Sequence, residues 1–335
     1  MSKPVKMSDI AAKLNVSTVT VSKALSDQKG VSDEMRDRIK KLALEMGYQK
    51  PAARHEERSR SFNIGVIVPE GYIEKYETFY WEMYQEINRD AVHNNSFVIL
   101  EILSGADEKA MVPPKLLKEG KVNGLLVLGG IESSYLRMIR EHYSIPTVYI
   151  DFYDAYVKED SIVSNSFYGT YTVTNYLFEK GHKNIAFVGT VLSTNSITDR
   201  YLGYVKSLRE HGKKEREEWV IDDRDGERRC YDVIALPEEM PTAFVCNCDM
   251  TASKLIRTLR EAGYRVPEDV SVVGFDDFLY PGLCDIPLTT YAVNMTGMAE
   301  AGVRLLLKKM TGRETSKGMH MIEGYFIERN SVREI

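Results

Sequence analysis

The sequence predicts a small N-terminal all-α unit of helix-turn-helix type, followed by a larger α/β unit of two lobes with parallel sheets. Three observations carry this reading. The first 48 residues hold short amphipathic stretches with capping residues and no β-rich run. From residue 62 onward, continuous apolar runs alternate with helical patterns, as in a parallel sheet covered on both faces. Charge is also divided along the chain. Residues 1 to 60 hold 13 Lys and Arg against 8 Asp and Glu, a net of +5, so the chain's −5 leaves −10 for residues 61 to 335. A basic unit attached to an acidic body suits a polyanionic partner, although a merely solvated surface can have the same composition.

In the first unit, Ser8 and Asp9 open a helix whose apolar side is Ile10, Ala11 and Leu14. Asn15, which tolerates a left-handed backbone, ends it, and Ser17 is a suitable cap for the next helix, TVTVSKAL. Ala11 and Val21 are expected to meet where the two helices cross. A third helix starts at a Ser32 cap, carries Ile39, Leu42, Ala43 and Met46, and stops at Gly47. The second helix is the one such motifs place in the major groove. Its outer face offers Thr18 and Val19, whose methyls fit thymine, and Lys23, which can donate to guanine O6 and N7. The hydroxyls of Ser17, Thr20 and Ser22 suit phosphate or backbone contacts. A helical hairpin packed on the larger body is the competing reading.

In the larger unit the expected strands are NIGVIVP, FVILEIL, NGLLVLG and PTVYID, with helices around 79–94 and 133–143 and one broken by Pro113-Pro114. A second copy of the plan is expected to begin at SIVSN: helix 167–180, NIAFVGT, helix 199–210, WVID, TAFVCN, helix 249–262 and VSVVGFDD. Ligands of such sheets bind beyond the carboxyl ends of the strands. Those ends carry Asp151, Asn165, Asp199 with Arg200, Cys248 with Asp249, and Asp276 with Asp277, and Phe79 and Tyr80 follow the first strand. Flat apolar rings, carboxylates and a guanidinium together suit a sugar or another small polyol. The plainer reading is that an acidic residue at a strand end caps a helix, as expected of Asp249.

Several classes find no support. There is no G-x-G-x-x-G, H-E-x-x-H or G-x-S-x-G, and the four cysteines show no C-x-x-C spacing. No catalytic role, cofactor or metal is therefore expected. No apolar run reaches 18 residues, and MSKPVKMSDI lacks the apolar stretch of a signal peptide, so the expected location is the cytoplasm, away from membranes.

MSDIAAKLNVSTVTVSKALSDQKGVSDEMRDRIKKLALEMGY resembles the DNA-binding domain of the LacI/GalR family of transcriptional regulators. Asn15 stands in place of the family glycine, and Lys23 in place of an arginine that often reads guanine. The resemblance continues through GHKNIAFVG, RYLGYVKSL, NCDMTA, VPEDVSVVGFDD and IPLTTYAVNMTGMAEAGVRLL. It implies a periplasmic-binding-protein-like pair of lobes, dimerisation through them, and a repressor that binds palindromic operator DNA under control of a small-molecule effector. By position it assigns effector contacts to Phe79, Tyr80, Asp151, Asn165, Arg200, Cys248 and Asp276. Cys248 replaces a usual Asn, and Asn165 a usual Asp.

The expected division is therefore 1–48 for DNA binding, 49–61 for a hinge, and 62–335 for effector binding and dimerisation. Within the last, lobe 1 is expected at about 62–162 plus 293–335, and lobe 2 at about 163–290. The hinge resembles a family segment that enters the minor groove with a leucine. Ala52, Ala53 and Arg54 fit it, but the leucine position falls on Glu56 or Glu57, so this hinge is expected to stay largely unfolded. A solute-binding protein would need an export signal and no basic domain, and a sugar-modifying enzyme would need a base or metal constellation.

Overall fold

A computed structural model describes residues 5–25, 28–46, 48, 61–73, 78–225, 233–278, 284–313 and 315–335. Arg54 and hinge residues 49–60 lie outside them. The chain divides into two compact units, Met1–Arg60 and Ser61–Ile335.

The first unit contains α1 (Met7–Leu14), α2 (Thr18–Leu25) and α3 (Asp33–Glu45). Asn15 has φ 53°, the left-handed conformation that asparagine accepts more readily than most residues, and it turns the chain between α1 and α2. Ser17 Oγ accepts from Thr20 N at 3.0 Å, and Ser32 Oγ accepts from Met35 N at 3.4 Å, capping α2 and α3. Ile10, Ala11, Val21, Ala24, Ile39 and Ala43 form the core, with Ala11 and Val21 in one cluster as their spacing predicts.

The larger unit holds two six-stranded sheets. The first contains β1 (Phe62–Pro69), β2 (Ser96–Leu103), β3 (Gly124–Leu128), β4 (Thr147–Ile150) and β5 (Asp160–Ser164). The second contains β6 (Ile185–Val188), β7 (Val220–Ile221), β8 (Ala243–Cys246), β9 (Ser271–Asp276) and β10 (Thr289–Ala292). Two late strands, β11 (Met319–Ile322) and β12 (Tyr325–Ile327), complete them. The strand orders are β11-β5-β4-β3-β1-β2 and β12-β10-β9-β8-β6-β7, so both lobes wind identically. Within each lobe the order reverses at its first strand, which leaves a crevice between β1 and β3 and another between β6 and β8.

The inner strands β3, β4, β6 and β8 are buried along their whole length, as strands covered on both faces of a parallel sheet are. Ile64, Val66 and Val68 of β1 pack beneath α4 (Phe79–His93) through Met83, Ile87 and Ala91. Ile67, Leu125 and Val127 face the other way, beneath α7 (Ser133–His142), which follows the short helices α5 (Gly105–Lys109) and α6 (Lys115–Lys118). In the second lobe α8 (Ser166–Glu179) and α9 (Asn195–Glu210) lie so close that a Cβ on Gly203 would stand 2.1 Å from the Phe167 carbonyl oxygen. The second lobe's other long helix is α10 (Asp249–Glu261).

Three details differ from the sequence reading. SIVSN does not open the second lobe: β5 pairs with β4 and belongs to the first sheet. The C-terminal segment is also not wholly first-lobe. After β10, α11 (Met295–Met310) packs on α4 and the first sheet, and β11 joins β5, but β12 returns to pair antiparallel with β10. Alternation of strands and helices cannot reveal which sheet a strand joins. Helix 199–210 also begins earlier, at Asn195, where Thr194 Oγ1 caps it by accepting from Ile197 N.

Both tryptophans, Trp81 and Trp219, lie in the larger unit, so their fluorescence reports that unit alone. Ile39→Ala should destabilise the first unit by about 2–5 kcal/mol. In a urea titration, part of the helical circular dichroism should then melt at lower urea while the tryptophan transition stays in place. An equal displacement of both transitions would contradict independent units.

Candidate functional site

The strands' carboxyl ends deliver charged side chains onto a cleft between the two lobes, and the backbone there is unusual. Asp151, Asp276 and Asp277 have φ of 67°, 99° and 51°, values that non-glycine residues seldom adopt and that the surrounding structure must hold. From the first lobe, Asp151 accepts a hydrogen bond from Tyr80 Oη at 2.8 Å. Gly129, at φ 82°, leaves room for this corner, because a Cβ there would stand 2.9 Å from the Tyr72 ring and 3.2 Å from that of Tyr80. The Tyr72 and Tyr80 rings pack at 4.5 Å.

From the second lobe, α9 supplies Arg200, which is only 5% exposed. Its guanidinium lies 3.8 Å over the Phe275 ring, Nη1 donates to the Asn247 carbonyl at 2.5 Å, and Nη2 stands 3.0 Å from Asp276 Oδ1. Among the described residues, no well-aligned hydrogen bond reaches Arg200 Nε or Asp276 Oδ1. Buried polar atoms left open in this way mark a place where a ligand's hydroxyls can complete the network.

Side chains of the two lobes touch across the cleft. Phe79 and Phe278 meet edge to face with ring centroids 6.3 Å apart, and Tyr153 Oη donates to Asp199 at 3.2 Å. Burial raises the pKa of Asp151, against the opposing pull of Arg200 and the Tyr80 hydrogen bond. Burial, with Asp151's negative charge added, pushes Asp276 up to about 6 despite Arg200. Burial likewise raises Asp199, against the Tyr153 hydrogen bond.

Phe79, Tyr80, Asp151, Arg200 and Asp276 are thus placed around one cleft. The other two sequence candidates are engaged as helix caps. Asn165 Oδ1 accepts from Tyr168 N at the start of α8, where the chain crosses between lobes. Cys248 Sγ accepts from Thr251 N at the start of α10. It is Cys248, not Asp249, that caps α10. Asp249 is instead buried, accepting from Thr290 Oγ1 at 2.8 Å and from Phe278 N at 3.1 Å, and so holds the loop that presents Phe278.

Sequence reasoning missed the group beneath Arg200. Asp223 is fully buried and accepts from Arg224, Asn247, Thr251 Oγ1 and Thr190 N. Burial alone would raise its pKa, but Arg224, Thr251 and Asn247 overcome that and hold the carboxyl well below the usual range. Asn247 is the hub of this group: its side chain bonds Asp223 while its carbonyl receives Arg200. Its only sequence signal was its place at the end of TAFVCN. Asp223 and Arg224 follow a two-residue strand too short to stand out.

On the first unit, the outer face of α2 carries Thr18, Val19, Ser22 and Lys23, and Val19 is 61% exposed. Val21 and Ala24 point inward. Ser17 and Thr20 hydroxyls bond one another at 2.8 Å. Among the described residues no group of His, Cys, Asp and Glu could hold a metal ion, and no helix is long and apolar enough to cross a membrane.

Residues 6–50 match the bacterial regulatory proteins of the lacI family, and residues 174–332 match a periplasmic binding protein-like domain. The HTH-type transcriptional repressor CytR of Escherichia coli (strain K12) is 28% identical over 335 residues, covering 98% of this chain and 96% of that protein. The repressor PurR of Pectobacterium carotovorum subsp. carotovorum (strain PC1) is 27% identical, covering 97% and 96%. Among solved structures, the lac repressor dimer bound to operator and the anti-inducer ONPF aligns with a TM-score of 0.66 at 22% identity, covering 99% of this chain and all of that one. A complex of the transcriptional regulator CelR with cellobiose aligns at 0.69 with 21% identity, covering 98% and 99%.

Asp276 has a folded-state pKa of about 6, above the ordinary aspartate value, so its ionisation opposes folding. Relative to Asp276→Asn, the wild type should lose stability as pH rises from about 4 to about 6, with no further loss from this group above that range. Melting midpoints of both proteins across that range provide the check, and a constant difference would refute it.

Proposed function

The chain belongs to the LacI family of bacterial regulatory proteins, and from that premise we propose a cytoplasmic homodimeric repressor that binds palindromic operator DNA and is controlled by a sugar or similar polyol. It is a DNA-binding transcriptional regulator of the repressor type, not an enzyme, and responds to a small molecule. The observation that carries the effector class is the cleft itself. Asp151 and Asp276 approach it from opposite lobes, Arg200 lies between them in charge, and Phe79 and Phe278 supply flat apolar faces. Carboxylates and a guanidinium bond hydroxyls, while a sugar's C–H face packs on rings.

On the DNA side, Thr18, Val19 and Lys23 read bases, with Ser17, Thr20 and Ser22 assigned to the sugar-phosphate backbone and Arg54 to the hinge contact. Lys23 gives a point charge where the family arginine gives a two-pronged fork, so discrimination at that base pair is weaker. Regulation follows from linkage: a ligand that favours one arrangement of the lobes shifts the dimer toward or away from the spacing that seats two recognition helices one helical turn apart.

Palindromic operator-like DNA should bind with a steep salt dependence and clear preference over scrambled DNA. Lys23→Ala should lower affinity and cost about 1–3 kcal/mol of discrimination at one base pair per half-site. Equal affinity for both DNAs would sink the regulator reading.

In a thermal-shift panel of sugars and polyols, a cognate ligand at about 100 times its Kd should add about 2.7 kcal/mol of stability. Asp151→Asn should remove most of that gain. The effector class would be wrong if no member of the panel shifted the midpoint, or if the shift persisted undiminished in this variant.

A further inference from the structure

A cavity of about 170 Å3 lies in the first lobe, on the face of the sheet covered by α7. Leu125, Val127 and Tyr149 form its floor, on paired strands in which Val127 stands opposite Tyr149. Leu136, Ile139 and Arg140 form its roof, one stripe of α7 at helical spacing. None of the cleft residues lines it.

Two polar groups in this apolar enclosure are incompletely used. Tyr149 is 2% exposed and lines the cavity, and among the described residues no hydrogen bond involves its hydroxyl. Arg140 is half exposed, and its nearest carboxylate, Glu159, stands 3.9 Å away, too far for a hydrogen bond. Glu159 is drawn the other way, to Lys309 Nζ at 3.1 Å, which offsets its charge. Burial raises the Tyr149 pKa, with the charges of Glu159 and Asp154 adding to the rise and Arg140 opposing it, and both Tyr149 and Arg140 line the cavity.

We propose that this cavity is a second small-molecule site, separate from the interlobe cleft, which takes a monocyclic carboxylic acid of benzoate size. The ring lies against Leu125, Val127, Leu136 and Ile139, and the carboxylate accepts from Arg140 and from the Tyr149 hydroxyl. Size supports a single ring, because an apolar cavity of about 150 Å3 accommodates benzene. Charge favours the acid: Arg140 hydrogen-bonds no atom of the described residues, and Lys309 Nζ, 3.1 Å from Glu159, offsets the charge of that cavity-lining carboxylate. Tyr149 also stacks on Phe152 at 4.6 Å and lies two residues before Asp151, so an occupant would touch the strand that carries a cleft carboxylate.

Benzoate titrated into the full chain by calorimetry tests the site, with benzyl alcohol as the neutral control. Saturable benzoate binding at millimolar concentration or below is expected, and benzyl alcohol should bind at least about tenfold more weakly. Arg140→Gln should weaken benzoate about tenfold, and Tyr149→Phe, which removes one oxygen from the cavity wall, severalfold. Absence of saturable binding would overturn the proposal, as would benzoate affinity unchanged in both variants. The latter outcome would assign the binding elsewhere, including the cleft. Operator binding is read in a separate assay, so failure here leaves the regulator reading intact.

Discussion

The cleft depends on one buried charge, the guanidinium of Arg200. It is held from below by the Asn247 carbonyl and the Phe275 ring, and it faces Asp276 from its own lobe. Its field also reaches Asp151 of the other lobe, where it counters the rise that burial imposes. Two carboxylates converging in a desolvated cleft would repel one another without that cation. Removing a member of such a group costs more than its contact area suggests, because the remaining charge stays buried and uncompensated.

The second lobe is built to keep that guanidinium in place. Asp223, fully buried and ionised, gathers Arg224, Thr251, Thr190 and Asn247, and Asn247 passes the constraint on to Arg200. Asp249 performs a parallel task for Phe278, fixing its backbone from beneath while Thr290 fixes Asp249. Both carboxylates act on the cleft from behind, through groups that face it. Phe79 with Phe278 and Tyr153 with Asp199 join the lobes across the cleft, so rearranging the lobes changes what a ligand in the cleft can reach.

Much of this was legible along the chain. The caps Ser17 and Ser32, the turn at Asn15 and the apolar spacing of Ile10, Ala11, Val21 and Ile39 are local features, and local features show in sequence. The parallel strands were equally plain, because a strand buried on both faces must be apolar throughout. Strand ends also pointed to the cleft, since Asp151, Arg200 and Asp276 follow apolar runs or open the helix after one. At Asn165 and Cys248 the side chains close helix ends, because position after a strand is shared by ligand contacts and by helix caps.

The sequence by itself determined the two units, the helix-turn-helix, the repeated α/β plan and most of the polar cleft, because each rests on hydrophobic period, capping chemistry or strand-end position. Tertiary structure decided which sheet β5 and β12 would join, that Asp223 and Asn247 support Arg200, that Phe278 meets Phe79, and that Tyr149 and Arg140 share one cavity. Those relations link residues from nine to 199 positions apart. They are set by how strands pair and lobes pack, for which no local pattern of residues carries a signal.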